Sequence, residues 1–109
     1  MKIKLSGLDR MNIFDMLPKN SGRLEMIAVT EITDTLKLTA EEVVEFGLKD
    51  GANGGIVYNI NDPKLNVDKD FELKKPHTDL LKKLVEEMDA KELWTPNNIK
   101  TCLKIENIR

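Results

Sequence analysis

A glycine-rich turn, Asp50-Gly51-Ala52-Asn53-Gly54-Gly55, divides this chain into a helical half and a mixed half. Asp50-Gly51 and Asn53-Gly54-Gly55 tolerate positive φ, as a hairpin loop requires. Before the turn, Thr39-Ala40-Glu41-Glu42 is a capping box: the Thr39 hydroxyl can accept from the Glu42 amide while the Glu42 carboxylate reaches back to the Thr39 amide. The helix so started, Thr39 to Phe46, is short. From Phe46 onward the apolar period is closer to two, which predicts a strand before Asp50. After the turn, Ile56-Val57-Tyr58-Asn59-Ile60 is β-branched and aromatic, a returning strand.

Upstream, Met1 to Leu5 alternates apolar and basic residues, as an edge strand or as a lead into the next helix. Ser6 can cap that helix, with Asp9 three residues on. Met11, Phe14 and Leu17 form its apolar face until Pro18 ends it. Leu24, Ala28, Ile32 and Leu36 then recur every four residues, with Ile27 and Val29 widening the stripe of a second amphipathic helix. Thr30, Thr33 and Thr35 are mediocre helix formers, so packing rather than propensity must hold it.

Downstream, Lys64 to Lys69 reads as a polar loop. Phe71 and Leu73 alternate with charged residues as a third strand. Pro76 opens a helix striped by Leu80, Leu81, Leu84, Val85 and Met88. Leu93-Trp94 packs its exit, and Thr95-Pro96 starts a last helix carrying Ile99, Cys102 and Leu103. The expected fold is α+β: N-terminal helices, a small antiparallel sheet of two to three strands, and a C-terminal helix pair. With 109 residues and no internal repeat, low-complexity tract or linker, one domain spanning 1–109 is expected.

Composition removes several function classes. No apolar run approaches the roughly 20 residues of a membrane helix, and Met1 to Leu5 lacks the apolar region and cleavage site of a secretory signal. A cytoplasmic location is the expectation. The single cysteine, Cys102, allows no disulfide within the chain and fits a reducing compartment. A net charge of −2 disfavours a dedicated nucleic-acid binder, with Lys74-Lys75 and Lys82-Lys83 the best local basic patch. Folding buries roughly 65% of the unfolded surface of a chain this long, so a homo-oligomer could supply part of the stability.

Catalytic constellations are absent. His77 and Cys102 are the sole members of their types, so a Cys–His pair needs these two to meet. Cys102 falls on the buried stripe of its helix, which suits packing, and His77 in a first turn suits solvation or capping. No metal site with two or more histidines or cysteines is available, and no cofactor motif is present. The acidic clusters Glu41, Glu42, Glu45, Asp50 and Glu86, Glu87, Asp89 lack calcium-loop spacing and read as solvated helix faces. The Gly51 to Gly55 segment lacks a phosphate-loop pattern and leads into a strand, so it reads first as a hairpin loop and second as a contact loop.

The candidate binding residues are therefore few. Lys74, Lys75 and His77, with the amides of Gly54 and Gly55, could meet a small anionic ligand of nucleotide type. Tyr58 and Trp94, the aromatics with polar handles, suit core packing or an interface anchor.

In their order, Asn12-Ile13-Phe14-Asp15-Met16-Leu17-Pro18-Lys19, Leu38 through Phe46, Ile56-Val57-Tyr58-Asn59, Phe71-Glu72-Leu73, the Leu80 to Met88 helix and Leu93-Trp94-Thr95-Pro96 resemble a broad group of short, uncharacterised bacteriophage and prophage proteins. The resemblance covers nearly the whole chain and rests on motif order. The chain departs from that group at the Gly51 to Gly55 insertion and at Tyr58, where the group favours tryptophan. The group carries no activity or functional residue to transfer. The resemblance implies a setting, an accessory protein acting inside a bacterial host. The expectation is a non-enzymatic protein that binds a host or phage protein, for instance to blunt a defence system. The alternative is an oligomer that sequesters a nucleotide-type ligand.

Overall fold

The computed structural model describes residues 1–51, 56–58 and 62–108, and of Asp50, Ile56 and Val57 the backbone only. The elements in order are β1 (Lys2–Leu5), α1 (Gly7–Met16), α2 (Arg23–Leu36), α3 (Ala40–Glu45), β2 (Lys49–Asp50), β3 (Ile56–Val57), a 3₁₀ helix (Pro63–Asn66), β4 (Lys69–Glu72), α4 (Lys75–Ala90) and α5 (Ile99–Glu106). The α+β class and the C-terminal helix pair are as the patterns predict.

The first five residues are a strand. β1 pairs antiparallel with β4, with Ile3 opposite Phe71 and Leu5 opposite Lys69. Its alternation sends Ile3 and Leu5 into the core and Lys2 and Lys4 to solvent. The hairpin β2–β3, with Lys49 opposite Val57, is a separate two-stranded ladder, so the Phe71 strand joins the N-terminus rather than the hairpin. Residues 52–55 of the turn and residues 59–60 of the expected returning strand lie outside the described residues.

Ser6 and Asp9 make a reciprocal capping box that starts α1. Gly7 is held close to the Phe46 ring: a Cβ there would stand 2.8 Å from Cε2 of Phe46. α1 buries Leu8, Met11 and Ile13, and Leu17 caps its end, while Phe14 is half-buried.

In α2 the inward face is Ala28, Val29, Ile32 and Leu36, whereas Leu24 is 79% and Ile27 51% exposed, against the stripe read from the sequence. The reason is helical phase. A repeat of four residues drifts about 40° per step on a helix of 3.6 residues per turn, so Leu24 lies about 120° around from Leu36. Thr30, Thr33 and Thr35 each donate back to the carbonyl four residues earlier, at 2.9, 2.8 and 2.9 Å, which satisfies their hydroxyls within the helix.

The expected Lys64–Lys69 polar loop contains the 3₁₀ helix instead. Asp62 caps it through the Lys64 amide at 2.9 Å, and Leu65 is fully buried. α5 begins at Ile99, three residues later than Pro96 suggests, because Asn98 Oδ1 accepts from the Thr95 amide at 2.6 Å and closes the preceding turn. Its buried face is Thr101, Cys102 and Ile105, and Leu103 is exposed at 51%.

Two apolar clusters result. The larger joins Ile3 and Leu5 of β1 to the inward faces of α1, α2, α4 and α5. The smaller is Met11, Phe46 and Leu65, flanked by Leu38, Leu48 and Tyr58.

Candidate functional site

Between α1, the end of α2, α3 and β2 lies an open apolar cavity of about 390 Å³. Met11 and Phe14 of α1 line it together with Leu38, Val43 and Leu48. Thr33, Lys37 and Lys49 complete the lining. α3 is short and its buried side chains are Glu42 and, at its C-cap, Phe46, which leaves Val43 in the cavity lining and 38% exposed. Lys37 and Lys49 are exposed, and among the described residues neither has a carboxylate partner. The cavity lining is therefore mainly apolar with two exposed lysines and, among the described residues, no acidic side chain.

The wall carrying Val43 is anchored by a buried ion pair. Arg10 Nη1 donates to Glu42 Oε2 at 2.5 Å and Nη2 to Glu42 Oε1 at 3.1 Å. The same guanidinium donates to the carbonyls of Leu36 at 2.8 Å and Lys37 at 2.7 Å, the free carbonyls at the end of α2. Its Cζ stands 5.0 Å from the centroid of the Phe71 ring, and Lys69 approaches Glu42 at 3.3 Å. Glu42 also completes the Thr39 capping box. The Arg10 hydrogen bond is the largest cause that lowers the Glu42 carboxyl to about 2, outweighing burial and aided by the Thr39 amide and Lys69. The expectation of a solvated acidic face thus fails at Glu42, which ties α1, α2, α3 and β4 together.

A second network sits across α1. Asp9 accepts from Thr101 Oγ1 at 2.5 Å and from Lys104, which also contacts Asp68 at 2.7 Å. Burial pushes the Asp9 carboxyl up, but the Lys104, Thr101 and Ser6 donors outweigh it and hold it low. Both partners stay charged, as in a structural clamp.

The residues singled out from the sequence are dispersed. Lys74, Lys75 and His77 gather at the start of α4. His77 is buried there: Nδ1 accepts from the Lys74 amide at 3.3 Å, and Nε2 faces Glu31 at 3.5 Å. Lys75 is exposed and lies 3.9 Å from Asp79. An anion at His77 would meet the Glu31 carboxylate, which opposes phosphate binding there. Trp94 follows the other end of α4, about 24 Å away along a 16-residue helix. It is half-buried against the larger core and donates its indole N–H to Asp89. Tyr58 is half-buried on the smaller cluster. Gly54 and Gly55 lie outside the described residues. Lys74, Lys75 and His77 are thus brought together, but not with Tyr58 or Trp94.

Burial pushes the Cys102 thiol up to about 11, so it is a packed, unreactive group at neutral pH. Among the described residues no group of three or more His, Cys, Asp or Glu side chains is placed to hold a metal ion, and no helix is long and apolar enough to cross a membrane.

Sequence reading missed the cavity because its walls come from four separate segments. It missed Arg10 as well, although a lone arginine between Leu8 and Met11 on an inward-facing first turn was a usable signal. Comparison with protein families, curated proteins and solved structures finds no match to this chain.

Proposed function

We propose that this chain is a non-enzymatic binding protein whose cavity receives a large apolar side chain from an acidic segment of a protein partner. The observation that carries the reading is the cavity itself. Its volume of about 390 Å³ is within the range of ligand sites and exceeds an aromatic side chain, and its interior is apolar. Lys37 and Lys49 in its lining, exposed and without a carboxylate partner among the described residues, favour carboxylates beside the inserted group. The motif order, which resembles that of phage and prophage proteins, is what suggests an accessory role inside a bacterial host, with a host or phage protein as the partner. Interference with a defence system is one form of that role. A sequestered nucleotide-type anion has less support, because Lys75 is paired with Asp79 and His77 faces Glu31.

The test compares tagged wild-type and Val43→Glu chains as baits in phage-infected bacterial cells. Val43 is partly exposed, so the variant should keep its melting temperature to within a few degrees. A carboxylate on the cavity wall should weaken a partner by about 2 kcal/mol, roughly thirtyfold. A protein enriched by the wild type and lost with Val43→Glu supports the reading. Equal recovery by both baits, or no protein enriched by the wild type, overturns it.

A further inference from the structure

The N-terminal half of α2 has a second apolar face that the described residues leave largely uncovered, with Met26 at its edge packed partly against the larger core. Leu24 and Ile27 are exposed there, Met26 is half-buried, and Thr30 donates its hydroxyl back to the Met26 carbonyl, leaving its methyl as the group to present. A helix apolar on two opposed faces packs one of them against the rest of the chain and leaves the other for a partner.

The shape of that face is specific. Arg23, Met26, Ile27 and Thr30 stand at i, i+3, i+4 and i+7, and together with Glu31 they line a shallow groove of about 380 Å³. Four residues at those spacings form the hole that receives one side chain of a facing helix.

We infer that this face binds a second copy of the same chain, with the two α2 helices crossing antiparallel about a two-fold axis near Ile27. The charges carry the choice of occupant. In such a pairing, residues equally far before and after Ile27 face each other, so Arg23 of each copy meets Glu31 of the other, and Leu24 meets the Thr30 methyl. Arg23 and Glu31 are each four residues from Ile27, about 6 Å along the helix, and Leu24 and Thr30 are each three, about 4.5 Å. Ile27 of each copy enters the groove of the other. The interface is self-complementary, as a two-fold dimer requires. Arg23 has no ion-pair partner among the described residues. Among the described residues Glu31 has as its ion-pair partner only the imidazole of His77 at 3.5 Å, and its side chain is 49% exposed. A parallel pairing would set Arg23 against Arg23 and Glu31 against Glu31. The inference is independent of the partner-binding cavity, which uses Thr33 and Lys37 at the other end of α2.

Sedimentation equilibrium of the whole chain, from micromolar to millimolar concentration, tests it. The expected wild-type result is a concentration-dependent mass between 12.4 kDa and twice that value. Ile27→Glu should weaken the dimer at least about 100-fold, and Arg23→Glu or Glu31→Arg alone about tenfold each, because each reversal sets like charges together twice. The double variant Arg23→Glu with Glu31→Arg should recover to within about threefold of the wild type. Unchanged thermal melts in each variant keep folding out of the comparison. A chain that stays monomeric throughout overturns the inference. So does a dimer indifferent to Ile27→Glu, or a double variant no tighter than the singles.

Discussion

Arg10→Ala is expected to destabilise the fold by about 3–5 kcal/mol, read as a fall in the urea midpoint with little change in slope. The substitution does more than delete one contact. It leaves the Glu42 carboxylate buried without its main partner, strips the donors from the Leu36 and Lys37 carbonyls, and removes the cation over the Phe71 ring. Leaving a buried charge uncompensated is the largest of these costs. The double variant Arg10→Met with Glu42→Met should therefore lose less than Arg10→Ala alone, although it also loses the Thr39 cap. Additive losses would show that the pair is not acting as a unit.

The same pair predicts an acid response. The Glu42 carboxyl is lowered from 4.5 to about 2, so its contribution is fully present above pH 4.5 and is lost as pH falls from there through about 2. At about 1.4 kcal/mol per pKa unit, the contribution is roughly 3 kcal/mol. The gap between wild type and Arg10→Ala should therefore narrow as pH falls through that window. A gap that stays constant from pH 5 to pH 2, about the span of the shift, would mean that Arg10 does not set the ionisation of Glu42. Because α3 carries Val43, loosening the pair should also weaken partner binding before the protein unfolds.

Leu81→Ala should cost about 3 kcal/mol, while Leu103→Ala should cost less than about 0.5 kcal/mol. Both leucines belong to apolar stripes of C-terminal helices, and the substitutions are chemically identical. Only the environment differs: Leu81 is fully buried between α4 and the rest of the larger core, and Leu103 is half in solvent. Truncating Leu81 removes buried methyl groups and leaves a void that close-packed neighbours fill only in part. Thermal or urea unfolding of the two variants checks the contrast, and equal losses would contradict a helical phase of α5 that turns Leu103 to solvent.

Local chemistry was readable in the sequence wherever neighbours along the chain decide the outcome. The capping boxes at Ser6–Asp9 and Thr39–Glu42, the termination at Pro18, the stripe of α4 and the α+β class all rest on contacts within a few residues. Glycines in the Asp50 to Gly55 turn likewise announce the reversal that brings β2 and β3 side by side. The tertiary structure decided what depends on distant partners. Pairing of β1 with β4 joins residues 64–70 positions apart, and no local pattern distinguishes it from pairing with the hairpin. Arg10 and Glu42 are 32 positions apart, so the sequence shows Glu42 only as a cap. Helical phase decided Leu24, Ile27 and Leu103, because a four-residue repeat rotates off the core face while its hydrophobicity stays the same. The candidate cavity is the extreme case: Met11, Phe14, Leu38, Val43 and Leu48 are ordinary apolar residues in sequence, and only the placement of α3 by a buried ion pair leaves space between them.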